Sequence, residues 1–363
     1  MYRSLQAGRA IAALLVVLYH IGMDMSLEKY FNMPAFDVPF SFGGAGVEFF
    51  FVLSGFIIFY AHRNDFDQPD RVKGYFFKRF ARIYPTFWII FLGVSILALI
   101  SASTRSVIPT DPIILLKTFL LIPQDPAIVG GTGAPVIGVA WTLQYEMLFY
   151  VTFALAIWNR VFGLLAIATF VVIYFIQQFS GNLPFPLSFL AKDYVWLFLM
   201  GMVVAKLCLN KNLKVKQPEY FTIIGGLIFL LVALDIVFEK NILKDYKILL
   251  FGLSSSIIVF GLVKAEQAGK VFLGNKFVQL MGNASYALYL THYSLISFML
   301  KVAMLLKLNE LGLAGALITY VGMLVVCIVV AIGFHVWIEK PIARKLRAMA
   351  KKRKTNNMAA NSY

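Results

Sequence analysis

Charge is scarce in this chain, and acid is scarcer than base: 14% of the 363 residues are charged, with 18 Asp and Glu against 33 Lys and Arg. So few charges do not clothe a water-soluble domain of this length. A chain that is 60% hydrophobic, with a mean hydropathy of +0.79, belongs to the multi-pass membrane class. Cysteine is nearly absent, and Cys208 and Cys327 both sit in apolar runs without disulfide or metal-ligand spacing, so they read as inert core residues. No GxxxxGK phosphate loop occurs, and no cluster has the make-up of a zinc site, so metal chemistry is not expected. Internal repeats and low-complexity linkers are missing too. These absences leave one all-α membrane helix bundle over residues 1–341, followed by a basic tail over 342–363. The formal charge of +15 would suit nucleic acid. The basic residues fall mostly in loops and tail, however, where topology and anionic membrane lipid explain them and nucleic acid is not needed.

About ten apolar segments are present: 5–23, 43–61, 80–101, 139–157, 162–179, 190–208, 220–238, 247–264, 284–305 and 314–337. Lys and Arg gather in alternate connections, as with Arg63, Arg71, Lys73 and Lys78, then Lys206, Lys211, Lys214 and Lys216, then Lys264, Lys270 and Lys276. The positive-inside rule then places both termini in the cytoplasm. The first segment is read as a span and not a cleaved signal, because it carries Arg9 and His20 within itself. A long outer connection over 102–138 contains the run Ile113 to Ile122, which fits a re-entrant or interfacial helix. Glu339, Lys340 and Pro341 read as a helix stop with an ion pair.

Polar residues inside the spans carry the functional signal. Arg9 and His20 are eleven residues apart, close to three helical turns, which puts them on nearly one face roughly 16 Å apart along the axis. Two readings stay open: a narrow functional cleft, or snorkelling of both ends to the two interfaces. Glu48 lies in the second segment and is costly there unless paired, either as an ion-pair partner or in chemistry. Ser54 and Gly55 permit close approach of a neighbouring helix or thin ligand. Arg79 and Arg82 share a helix face at the mouth of the third segment, as a topological anchor or as a fork for phosphates. In the fourth segment Thr142, Glu146 and Tyr150 form a stripe, with Glu146 at the depth of His20, so the two suit either a base and its orienting carboxylate or a structural hydrogen bond. Ser285, Tyr289 and His292 repeat at helical spacing in the ninth segment, where His292 is given a packing or network role.

Taken together, RAIAALLVVLYH, GVEFFFVLSGF, KRFARIYP, WTLQYEMLFY and MGNASYALYLTH resemble, in their order and spread, the acyltransferase 3 family of bacterial membrane O-acyltransferases. The opening LQAGRAIAALLVVLYH is most similar to members associated with exopolysaccharide synthesis. The resemblance implies a multi-pass protein of the bacterial inner membrane that transfers an acyl group, commonly acetyl from acetyl-CoA, to a carbohydrate hydroxyl, in company with polysaccharide synthesis machinery. It implies His20 as the essential histidine, Arg9 as its companion, Arg79 and Arg82 in donor binding, and Glu146 as the carboxylate of the motif that begins at Trp141. Glu48 stands where many members have Asp, and no SGNH hydrolase-like domain follows the tenth segment. On this expectation acyl-CoA threads from the arginine pair to His20. There His20, oriented by Glu146 or Glu48, deprotonates the acceptor or carries the acyl group. A transporter or flippase for a lipid-linked saccharide is the rival from another class, and a scaffold in a synthase complex is a third reading.

Overall fold

The computed structural model describes residues 2–100 and 107–360, so residues 102–106 of the long connection and 361–363 of the tail lie outside the described residues. The described chain is helical, without strands. In order it forms α1 (Arg3–Met25), α2 (Gly46–His62), α3 (Pro69–Ile100), α4 (Pro112–Phe119), α5 (Pro126–Val129), α6 (Trp141–Trp158) and α7 (Arg160–Ser180). It continues with α8 (Leu187–Leu190), α9 (Tyr194–Leu209), α10 (Glu219–Val237), α11 (Lys247–Gln267), α12 (Lys276–Leu305), α13 (Gly312–Phe334) and α14 (Lys340–Ala360). Among the described residues nine helical stretches are long and apolar enough to cross a membrane. Helices close every backbone hydrogen bond within themselves, which is what hydrocarbon demands. The expected segment 139–157 is a helix as well, α6, but Gln144, Tyr145, Glu146 and Tyr150 make it too polar to count with the nine. α7, α10 and α13 turn Leu164, Leu231 and Val329 outward, as lipid-facing helices do.

Helix starts differ from the apolar runs. α3 and α12 begin at Pro69 and Lys276, ahead of the 80 and 284 expected, because charged first turns continue the helix beyond the hydrophobic stretch. Asn275 caps α12, its side chain accepting from Val278 N at 2.9 Å. The stop expected at Glu339–Pro341 does not occur. A π-helical turn over His335–Glu339 passes directly into α14, and Pro341 is carried just past that turn, within a continuous helical path. Glu339 pairs with His335 Nδ1 at 2.9 Å instead of with Lys340. Of the expected 113–122 helix, the eight-residue α4 forms, started by Asp111, whose carboxylate accepts from Ile113 N at 2.7 Å. It packs onto α3, where Trp88 donates to Phe119 O at 2.9 Å and stacks on the Phe119 ring at 4.8 Å.

Two packing contacts position the site. Gly282 lies against the Gln6 carbonyl, so closely that a Cβ there has no room, and this lets α1 and α12 run side by side in the same direction. Gly55 and Gly201 do the same for α2 and α9, each seating a carbonyl of the other helix. The first-turn amides of α1 donate to Glu266, Arg3 N at 2.8 Å and Ser4 N at 2.7 Å, so the start of α1 is pinned to the end of α11. Between an apolar cluster on α1, α12 and α13 and another on α2, α3, α6 and α9, the bundle leaves a cavity.

Candidate active site

The cavity has a volume of about 80 Å³ and draws its lining from five helices. Its polar residues are Arg9 of α1, Ser54 of α2, Arg79 and Arg82 of α3, Thr142 and Glu146 of α6, and Ser285, Tyr286 and Tyr289 of α12. Three guanidiniums thus meet one carboxylate, giving the space a net positive field inside an apolar bundle. Arg9 is buried and donates through Nε and Nη2 to Ser285 Oγ, at 3.2 and 2.9 Å. Arg79, also buried, donates from Nη2 to His62 Nε2 at 3.2 Å, while its Nε is buried without a hydrogen-bond partner among the described residues. Tyr75 and Tyr150 present their rings to its guanidinium at 5.6 and 5.5 Å. Arg82 makes no hydrogen bond or ion pair with a described residue and stays exposed, which marks its side of the cavity as the open one.

A relay stands behind Arg79. Asp65 accepts from His62 Nδ1 at 2.7 Å, which leaves the Nε2 lone pair of His62 to face the guanidinium. Sequence reasoning missed both residues. The signal available was a histidine and an aspartate three apart at the end of an apolar segment, beside a basic run.

Glu146 accepts from Ser54 Oγ at 3.2 Å and from Tyr150 OH in a very short contact. At its other end the cavity closes on Tyr289, whose hydroxyl meets Thr142 Oγ1 at 3.1 Å and Val139 O at 3.2 Å. Trp141 stands outside the lining and packs against Tyr194 at 5.0 Å. Glu48 is outside it too, with Oε2 buried and unpartnered among the described residues, so the ion pair considered for it is not formed.

His20 lies beyond Tyr289 and does not line the cavity. Its ring sits 4.9 Å from that of His292 and 5.3 Å from that of Tyr293, and Tyr289 in turn packs on His292 at 5.8 Å, so contacts lead from the cavity to His20 through Tyr289 and His292. The expected pairing of His20 with Glu146 or Glu48 is not what the structure holds. Glu146 is turned into the cavity toward Ser54 and Tyr150, and the ring that reaches His20 is His292, with Nε2 at 3.2 Å from His20 Nδ1. Depth along the membrane matched the two residues, but Glu146 meets α2 through Ser54 and its own helix through Tyr150, while His20 faces His292 of α12.

Residues 2–333 match the family model of the acyltransferase domain of the acyltransferase 3 type. The exopolysaccharide production protein ExoZ of Rhizobium meliloti is 27% identical over 320 residues, covering 85% of this chain and 92% of that protein. Acyltransferase MdmB of Streptomyces mycarofaciens is 32% identical over 162 residues, 43% of this chain and 39% of the relative. Staphylococcus aureus proteins whose names point to O-acetyl transfer are 23% identical over 315 residues, and the chain spans 50% of their length. No solved structure is a significant match. With the family matched across nearly its whole length, and with nine helical stretches among the described residues fit to cross a membrane, this chain belongs to the acyltransferase 3 family of multi-pass membrane proteins.

Proposed function

We propose that the protein is an O-acyltransferase of the bacterial inner membrane, with both termini cytoplasmic, that moves an acetyl group from acetyl-CoA to a hydroxyl of an exported or cell-surface polysaccharide or of its lipid-linked precursor. The observation that carries this reading is the convergence of Arg9, Arg79 and Arg82 on one cavity with guanidinium donors left over, Nε of Arg79 and the whole fork of Arg82. A buried unpartnered N–H of Arg79, with the open-side fork of Arg82 beside it, suits phosphate oxygens, the acceptors that CoA brings. Membership of the family supports acyl transfer, and the name of ExoZ supports a polysaccharide acceptor.

On this reading the donor enters past Arg82, its phosphates rest on the arginines, and its thioester reaches toward Tyr289. The Tyr289 ring swings aside to open the last layer. His20 Nε2, which takes no hydrogen bond from a described residue, removes the acceptor's hydroxyl proton. The oxygen attacks the thioester carbonyl, the carbon–sulfur bond breaks, and the leaving thiolate takes the proton back from His20.

The test uses purified protein in detergent with acetyl-CoA and a carbohydrate acceptor. H20A is expected to lower transfer about 10²–10⁴-fold while the protein stays folded in detergent, and fully retained transfer removes the base assignment. R82Q, which breaks no contact to a described residue, is expected to weaken CoA binding about tenfold, and R79A/R82A further. Unchanged calorimetric affinity in both removes the cavity as the donor site. Movement of a lipid-linked saccharide without consumption of acetyl-CoA would put a transporter in place of the enzyme.

A further inference from the structure

We propose that His292 is a positioning residue for His20. Its Nε2 lone pair accepts the Nδ1–H of His20, fixes the tautomer in which His20 Nε2 is bare, and shares the positive charge that arises when His20 takes a proton. The inference rests on the reading of His20 as the base.

Hydrogen accounting leads there. His20 Nδ1 lies 2.8 Å from Val16 O, and His292 Nδ1 lies 3.1 Å from Leu288 O. Carbonyl oxygens only accept, so both Nδ1 atoms carry hydrogen in the neutral rings, and both Nε2 atoms carry lone pairs. Between His20 Nδ1 and His292 Nε2, 3.2 Å apart, there is then one hydrogen, and it belongs to His20. The network closes with each donor facing an acceptor. It leaves one lone pair unengaged by a described residue: Nε2 of His20, the atom a base needs.

Val16 O does not do this alone. It is the carbonyl four residues back on the same helix, where it already serves the backbone ladder. One acceptor leaves the ring free to tilt about its bond to Cβ. The second acceptor comes from another helix and holds the ring from the side. His292 is itself immobile: fully buried, bonded to Leu288 O, packed by Tyr289, and backed by α13, where Cys327 Sγ lies 3.9 Å from its carbonyl oxygen. A third group that orients a base through its other nitrogen is the arrangement by which imidazoles are held to one tautomer elsewhere.

Four variants assayed in detergent decide the matter, with CoA affinity and unfolding temperature measured alongside. Gln places its amide oxygen where His Nε2 stands, whereas the amide of Asn falls one bond short. H292Q is therefore expected to keep kcat within about threefold, and H292N and H292L to lose about 10²–10⁴-fold with donor affinity unchanged. H20A/H292L is expected to be no worse than H20A, since a positioning residue has nothing left to position. Equal activity of H292Q and H292N, or a further loss in the double variant, would overturn the proposal. Should H292L fail to fold, the contrast between Gln and Asn still decides. The failure of the wider reading looks different: H20A itself stays active, whatever happens at residue 292.

Discussion

Two imidazoles in this bundle perform the same act for different clients. His62 and His292 each turn an Nε2 lone pair toward a donor on another helix, at 3.2 Å in both cases. Behind His62 stands a carboxylate, Asp65, a fifth exposed; behind His292 stands the Leu288 backbone carbonyl, in a fully buried setting. The client explains the difference. Arg79 is always charged, so its relay ends in a formal negative charge near the open end of the bundle. On the proposed function His20 is neutral at rest and becomes cationic only while it holds a proton, so a buried permanent anion there would go unpaired most of the time, at a cost of several kcal/mol. A neutral acceptor serves a passing charge without that cost.

The largest effect should come from breaking the scaffold of one relay and not of the other. Gly282 sets the distance between α1 and α12, and that distance sets the His20–His292 contact. G282V drives a branched side chain into the Gln6 carbonyl, and overpacking of this kind costs about 1–3 kcal/mol. Transfer activity should fall below detection, while CoA binding, which the proposed function assigns mainly to Arg79 and Arg82 on α3, should survive in weakened form. Wild-type activity in G282V would show that the α1–α12 spacing does not govern the histidine pair.

Next in size is removal of the first imidazole. H62L leaves Arg79 Nη2 without its acceptor, beside an Nε that already lacks one. A buried charged donor left unmade costs about 1–3 kcal/mol or more, so the unfolding temperature should drop, and CoA affinity should fall because the guanidinium is free to rotate. A variant as stable as the parent, with CoA affinity unmoved, would mean that the Arg79–His62 contact carries no load and that the likeness of the two relays is accidental.

What the chain shows on its face, and what it hides, follows the same division. The stripe of Arg9 and His20 and the pair Arg79 and Arg82 are legible because helix geometry alone places residues along one element, and α1 and α3 keep that register. The apolar runs mark the spans for the same reason. Partners across helices are another matter: Arg9 meets Ser285 and His20 meets His292 over separations of 276 and 272 residues, and no spacing rule reaches that far. Glu146 shows how a depth argument fails, because two residues at one level of a membrane still have to face each other around the helix axis. His62 and Asp65 were hidden for a milder reason. Their pairing is local, but it lies at the junction of an apolar segment and a basic run, where a lone histidine looks like part of the anchor.

The smallest effect expected distinguishes a carboxylate that supplies charge from one that only holds a ring. D65N keeps an oxygen that accepts from His62 Nδ1, so the tautomer of His62 and the lone pair facing Arg79 are preserved, and only the formal charge is lost. Asp65 is partly exposed, and a screened charge there is worth less than about 1 kcal/mol. The unfolding temperature of D65N should lie close to that of the parent, and its CoA affinity within about threefold, far above that of H62L. If D65N instead falls as far as H62L, the carboxylate's charge is what holds Arg79, and the relay is an electrostatic device rather than a geometric one. His292 would then differ from His62 in kind and not merely in what stands behind it, because no carboxylate backs His292 among the described residues.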